Sequence, residues 1–164
     1  MAPTEQTTTS EGTQPFQVLW LNINGINSNK ADSNFYLLIR LFVKSNYSIM
    51  FLQEPRLKEG RLGAFEGACN WPQSKVQGTF TANAQGKGWV ATIAKKTFLN
   101  GTTNFLVHEM APDQCQHITF NIGDTQFSFA NVHMDSHLGT NRATLCKTLQ
   151  DTLPIGTIIG GDFN

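Results

Sequence analysis

The sequence predicts an α+β fold in which β-sheets pack face to face with helices on the outside. Three observations predict it: short apolar runs of strand length, two helical segments near the ends, and a strand-rich middle between them. The 164 residues are 40% hydrophobic, which suffices for the core of one domain. We expect residues 1–15, rich in Thr, Gln, Ser and Gly, to be a disordered tail, and residues 16–164 to form the domain.

The chain begins its ordered part with a predicted strand and helix. Residues 16–21 are an apolar run that is too short for a helix and is closed by the turn-forming pair at 24–25. Residues 34–44 carry apolar side chains at helical spacing, and Asp32 or Ser33 is the expected N-cap. This amphipathic helix is expected to pack on a sheet.

A series of further strands follows the first helix. Residues 47–53 are a second apolar run, and Pro55 should end that strand because proline donates no ladder hydrogen bond. Five more strands are predicted at 74–81, 88–94, 103–108, 117–122 and 125–133, followed by a helix at 141–152 and a strand at 157–159. The closely spaced middle strands predict antiparallel pairing.

Polar residues gather just after four of the predicted strands. They are Asn22 and Asn24, Glu54, His133 and Asp135, and Asp162 and Asn164. Strand ends that lie side by side would join these side chains in one pocket. Phosphate-ester hydrolysis needs a hard cation on carboxylate oxygens, a positioned water and donors for the oxyanion. Glu54 is the candidate magnesium ligand, Asp162 would orient the water, and His133 would donate a proton or a hydrogen bond.

Composition restricts the partners. Twelve Lys plus Arg balance twelve Asp plus Glu, so no net charge gathers a polyanion, and a nucleic-acid substrate must rest on local chemistry. No apolar run approaches the roughly 20 residues that span a bilayer, so we expect no membrane partner. The three cysteines lack CxxC spacing and the N-terminus does not resemble a secretory signal, so we expect a reducing, intracellular location. The spacing of Cys115, His117, His133 and His137 does not match the usual zinc motifs, so no zinc site is predicted.

Four ordered motifs resemble those of the endonuclease/exonuclease/phosphatase superfamily. They are LNINGI at 21–26, LQE at 52–54, NVH at 131–133 and GDFN at 161–164. The first two are most similar to the apurinic-type endonuclease domain of non-LTR retrotransposons. The resemblance covers residues 16–164 and implies a four-layer αββα sandwich of two packed mixed sheets, incomplete at the C-terminus.

The resemblance also implies roles by position. Glu54 matches the family's metal-binding glutamate and Asn22 its first active-site asparagine, so both are expected metal ligands for magnesium, with manganese as an alternative. Asp162 and Asn164 match the pair that orients the attacking water and the scissile phosphate. His133 stands where apurinic-type enzymes usually place tyrosine, and where deoxyribonucleases and sphingomyelinases of this fold place histidine.

The end of the sequence departs from the family pattern. The family's remaining strands carry a further aspartate and an Asp-His pair, and no residue follows Asn164 to supply them. Loss of the oxyanion donor would cost about a hundredfold or more in rate. We therefore expect weak or no turnover from this chain, and an unpaired sheet edge.

Three functions are compatible with these observations. The leading hypothesis is magnesium-dependent nicking of DNA, with a reverse transcriptase region downstream in the full-length protein and a nuclear location if the retrotransposon resemblance holds. The second is a phosphoesterase acting on lipid or small-molecule phosphates, which His133 and the absence of basic excess favour. The third is a non-catalytic remnant that binds nucleic acid or a protein. The sequence leaves the oligomeric state and the number of metal ions open.

Overall fold

The computed structural model of the chain describes residues 15–25, 31–57, 75–81, 88–134 and 139–163. The strands within these ranges are β1 (Val18–Asn22), β2 (Ile49–Leu57), β3 (Val76–Phe80), β4 (Gly88–Lys95), β5 (Thr103–Ala111), β6 (Cys115–Ile122), β7 (Thr125–His133) and β8 (Ile158–Asp162). The helices are α1 (Ala31–Lys44), α2 (Lys96–Leu99) and α3 (Gly139–Thr152).

The strands form two four-stranded sheets, in the orders β1-β2-β4-β3 and β5-β6-β7-β8. Each sheet is mixed, because β1 runs parallel to β2 and β7 runs parallel to β8, whereas the other neighbouring strands are antiparallel. The predicted α+β sandwich of two packed mixed sheets is therefore confirmed. The number of layers and the incompleteness at the C-terminus stay predictions.

Apolar side chains join these elements in three clusters. Between the sheets, the buried residues Phe51, Ile118, Phe120 and Phe129 pack together. On the other face of the first sheet, Phe35, Ile39 and Phe42 of α1 pack on Met50 and Leu52 of β2. On the other face of the second sheet, Leu145 and Leu149 of α3 pack on Cys115, Ala130 and Val132. Each such large side chain contributes about 1.5–3 kcal/mol when fully buried, so these clusters fix the strands that carry the polar residues. None of the helices in the described ranges has the length and apolar character needed to cross a bilayer.

The helix boundaries correct two predictions. α1 begins at Ala31, so Asp32 and Ser33 lie inside the helix and neither is the N-cap. α3 begins at Gly139, before the predicted start at residue 141. The short helix α2 was not predicted, because four residues are too few to show a helical period.

Strand β2 passes through Pro55 and ends at Leu57, so the prediction that this proline ends the strand is wrong. The pairing with β4 is nevertheless interrupted there: Gln53 pairs with Val90, and the next paired residue is Leu57. Proline is tolerated because this irregular stretch lacks the regular ladder. Glu54 and Arg56 on either side of it adopt left-handed backbone with φ of 53° and 52°. Such conformations cost on the order of 1–3 kcal/mol and are concentrated at functional sites.

A buried carboxamide ties the two sheets together behind this stretch. Asn131 of β7 is fully buried. Its oxygen accepts a hydrogen bond from Gln53 Nε2 at 2.6 Å, and its nitrogen donates to the carbonyl oxygens of Leu52 at 3.2 Å and Ala91 at 3.0 Å. The asparagine of the NVH motif is therefore a structural residue that fixes β7 against β2 and β4.

Replacing Asn131 with Ala should lower the free energy of unfolding by about 2–4 kcal/mol, because the buried amide of Gln53 loses its acceptor at 2.6 Å and keeps only the carbonyl of Phe51 at 3.5 Å. Urea denaturation followed by circular dichroism measures the loss. Asn121→Ala is the matched control, since the oxygen of Asn121 accepts no hydrogen bond within the described residues. Equal losses in the two variants would contradict the proposed role of Asn131.

Candidate functional site

The carboxyl ends of four strands, β1, β2, β7 and β8, meet at one edge of the sandwich. In the parallel pair β1–β2, Asn22 is in register with Gln53, which places Asn22 beside Glu54. In the parallel pair β7–β8, His133 is in register with Asp162. Because the carboxyl ends of parallel strands lie together, each sheet brings two of the predicted site residues to the same edge.

Asn22 bridges the two sheets. Its Nδ2 donates to Glu54 Oε1 at 3.1 Å and to Asp162 Oδ2 at 2.5 Å. Its Oδ1 accepts from the backbone N–H of Asn24 at 2.9 Å, which fixes the orientation of the amide because an N–H can only donate. The nitrogen of Asn22 thus faces the carboxylates. The expected ligation of a metal by Asn22 stays a prediction, and in this structure its amide holds the two carboxylates together.

Three side chains converge with metal-ligating atoms. Glu54, His133 and Asp162 each offer one ligand atom, and these atoms lie within 4.8 Å of one another. His133 Nδ1 is 3.9 Å from Asp162 Oδ2, and the two side chains are 6% and 9% exposed. Carboxylate oxygens suit hard divalent cations such as magnesium or manganese, so the donor set fits the expected cofactor.

Arg56 belongs to this site, although no sequence pattern selects it. Its Nε donates to Glu54 Oε2 at 3.2 Å, and its Nη2 contacts the same oxygen. Nη2 also donates to Asn24 Oδ1 at 3.0 Å. Partial burial acts to raise the pKa of Glu54, but hydrogen bonds from Arg56 and Asn22 and the charge of Arg56 outweigh it, so the pKa lies below its ordinary value. Glu54 is therefore held as a carboxylate.

Trp89 forms one wall of the site. Its ring stacks on His133 with centroids 4.7 Å apart and planes inclined by 18°. The guanidinium of Arg56 lies 5.7 Å from the same indole ring. The backbone N–H of His133 donates to the carbonyl of Gln114 at 2.9 Å, so both the main chain and the ring of this histidine are positioned. An aromatic residue in a strand predicts only a place in the core, so the role of Trp89 at the site is a finding of the structure.

The remaining predicted residues divide into two groups. Asn24 lies at the site with φ of 45°, where its side chain contacts Arg56. Asp135, His137 and Asn164 lie outside the described residues. The expected contributions of Asp135 and Asn164 stay predictions.

Replacing Arg56 with Ala should change the pH dependence of metal binding. Because Arg56 lowers the pKa of Glu54, its removal raises that pKa, and protons then displace the metal at a higher pH than in the wild type. At neutral pH, where Glu54 is ionised in both proteins, loss of the competing guanidinium should tighten Mn²⁺ binding roughly two- to fivefold. Mn²⁺ titration monitored by electron paramagnetic resonance between acid and neutral pH measures both effects.

Arg40→Ala is the control for charge alone, because Arg40 is an exposed cation on α1. It should leave both the affinity and its pH midpoint unchanged. A midpoint that shifts equally in the Arg40 and Arg56 variants would contradict a local effect on Glu54.

Comparisons with known proteins find similar solved structures but no match to a family model or a curated protein. An endonuclease/exonuclease/phosphatase family protein from Bacteroides thetaiotaomicron superposes with a TM-score of 0.61 at 17% identity, over 91% of this chain and 63% of that chain. The AP endonuclease LMAP from Leishmania major gives 0.63 at 13% identity, over 98% and 60%. The endonuclease domain of TRAS1, a telomere-specific non-LTR retrotransposon, gives 0.54 at 16% identity, over 91% and 60%.

These similarities show that the chain has the fold of endonuclease/exonuclease/phosphatase proteins. The chain spans 63%, 60% and 60% of the lengths of the three structures. Fold alone does not establish activity, which must be argued from the site.

Proposed function

We propose that the protein hydrolyses phosphodiester bonds with a divalent cation, and that it nicks one strand of DNA. The observation that carries this proposal is the pair of carboxylates, Glu54 and Asp162, held by Asn22 beside the stacked ring of His133. Structures that share the fold include an AP endonuclease and a retrotransposon endonuclease domain, which supports a nuclease. Magnesium, with manganese as the alternative, is the proposed cation.

Each residue has a role that its contacts support. Glu54 would hold the cation, which when bound supplies Lewis-acid polarisation of a phosphate oxygen. Asp162 accepts a hydrogen bond from the attacking water and orients it. Asn22 keeps the two carboxylates at their separation, so that one serves the metal and the other the water. His133, with its ring fixed by Trp89, donates to a phosphate oxygen as charge develops.

Local positive charge near the site supports a polyanionic substrate in a chain of zero net charge. Arg56 lies against Glu54, and its side chain is 47% exposed. Arg142 of α3 donates to the carbonyl of Phe163 at 2.9 Å, directly after Asp162. Guanidinium groups bind phosphate oxygens in a bidentate manner, so Arg142 is a candidate anchor for the DNA backbone, and Arg56 becomes one when a bound cation replaces it on Glu54. A retrotransposon origin, a neighbouring reverse transcriptase region and a nuclear location are the finer part of this proposal.

A phosphoesterase acting on lipid or small-molecule phosphates is the second candidate, favoured by the histidine at position 133 and the neutral net charge. The test compares supercoiled plasmid, phospholipid vesicles and bis(p-nitrophenyl) phosphate, each with Mg²⁺ or with EDTA. We expect weak conversion to open-circular plasmid with Mg²⁺ and none with EDTA. Release of lipid headgroup with intact plasmid would favour the phosphoesterase, and binding of DNA without any hydrolysis would favour a non-catalytic role.

A further inference from the structure

Two histidines on the second sheet face each other away from the candidate active site. His108 of β5 and His117 of β6 are directly paired in the antiparallel register. Residues paired in this way have Cβ atoms about 4.5–5.5 Å apart. Since metal–imidazole bonds are roughly 2.0–2.1 Å long, two such side chains can reach one ion.

Alternation along the strands separates this pair from the site described above. Ile118, the next residue of β6, is buried between the sheets, so His117 projects from the opposite face. Its partner on β7 is Ala130, which packs with α3 on that outer face. His133 and Asp162 lie further along, at the carboxyl ends of β7 and β8.

A chain of hydroxyl groups fixes the tautomer of His117. Thr157 Oγ1 donates its only hydrogen to the carbonyl of Pro154 at 2.7 Å. Ser128 Oγ, 2.7 Å from Thr157 Oγ1, must therefore be the donor in that contact. Ser128 then has no hydrogen left for His117 Nε2, 2.8 Å away, so Nε2 carries the proton and donates. The lone pair of the ring consequently lies on Nδ1.

This arrangement is typical of a ligating histidine, in which one ring nitrogen is held by a hydrogen bond and the other binds the ion. Burial, and then repulsion by His108, lower the pKa of His117, so its ring is neutral at neutral pH.

We propose that His108 and His117 bind a borderline divalent transition ion, such as Ni²⁺ or Zn²⁺, with Nδ1 of His117 as one ligand. Imidazole nitrogen favours these ions over Mg²⁺, and the pair offers only imidazole ligands, whereas the Glu54 cluster offers two carboxylates and one imidazole. Ser128 is a positioning residue that orients the ring. Motif spacing along the chain does not reveal such a site, because the two histidines are brought together only by pairing of neighbouring strands.

Isothermal titration with Ni²⁺ in excess Mg²⁺ tests the proposal on the full chain. His108→Asn and His117→Asn should each weaken Ni²⁺ binding by at least about tenfold, and Ser128→Ala by roughly tenfold. His133→Asn is the matched control and should leave this affinity unchanged. The proposal is overturned if Ni²⁺ binding in a His133→Asn background survives both the His108 and His117 changes, or if Ni²⁺ binding to the full chain is lost only with His133.

Nitrogen-15 NMR of the histidine rings provides a readout that does not depend on affinity. The metal-free protein should show His117 with the proton on Nε2. Ni²⁺ should broaden the His117 signals at a lower Ni²⁺ concentration than those of His133. A proton on Nδ1 of metal-free His117 would overturn the proposed ligand atom. His108 is exposed, so its substitution keeps the test decisive if His117→Asn fails to fold. Neither measurement depends on the proposed hydrolytic function.

Discussion

Glu54→Gln should eliminate metal-dependent hydrolysis. The substitution removes the negative charge of a group whose ionised form is stabilised by Arg56 and Asn22. Lewis-acid catalysis contributes several kcal/mol to phosphoryl hydrolysis, and each 1.36 kcal/mol corresponds to about tenfold in rate, so the expected loss is on the order of 100- to 1000-fold. Plasmid nicking in Mg²⁺ measures the rate, and Mn²⁺ titration measures binding even where turnover is weak.

Asp151→Asn is the matched control, because it removes a carboxylate from an exposed position near the end of α3. It should leave nicking and Mn²⁺ binding unchanged. If the Glu54 variant binds Mn²⁺ as tightly as the wild type, the proposed metal role of Glu54 is wrong. If Mn²⁺ binding is lost while nicking persists, the ion held by Glu54 is not required for the reaction.

Gly161→Ala should be among the most destabilising single changes in the protein. Gly161 has φ of +145°, and a Cβ added there would lie 1.9 Å from the carbonyl oxygen of Val132. The backbones of β7 and β8 would have to separate, at an expected cost of about 3 kcal/mol or more in the free energy of unfolding. Asp162 is the next residue, so the same displacement should weaken Mn²⁺ binding.

Gly156→Ala separates backbone strain from the steric clash. Gly156 also has positive φ, +90°, but a Cβ added there would meet no described atom within 4 Å. We expect it to cost about 1 kcal/mol and to leave metal binding unaffected. Thermal unfolding followed by circular dichroism compares the two variants. Equal destabilisation would show that the close approach of β8 to Val132 is not the source of the effect.

The strand ends could be predicted from the sequence because apolar runs of strand length fix where polar residues first appear. That pattern led to Asn22, Glu54, His133 and Asp162, which the structure brings together, although their catalytic roles stay predictions. The start of α1 was misplaced because several residues near Asp32 suit an N-cap. The end of β2 was misplaced because a proline is compatible with a strand wherever the ladder is already interrupted.

Arg56 and Trp89 could not be selected from the sequence. On a regular strand, an arginine two residues after a glutamate points to the same face, and that spacing alone does not predict a contact between the two side chains. Here left-handed backbone at both residues sets the hydrogen bond from Arg56 to Glu54. The stacking of Trp89 on His133 joins β4 to β7, which lie in different sheets. Contacts between sheets depend on how the sheets pack, and no local pattern encodes that packing.

The hydrogen bond from Asn22 to Asp162 joins residues 140 positions apart in the chain. A ribosome adds roughly 5–20 residues per second, so Asn22 is synthesised on the order of 10 s before its partner. Glu54 can meet Asn22 as soon as β1 and β2 pair, whereas the second carboxylate arrives only with β8. A nascent chain therefore carries half of the site while the residues between β2 and β8 are being made, and the pair of carboxylates is completed only after β8 has been made.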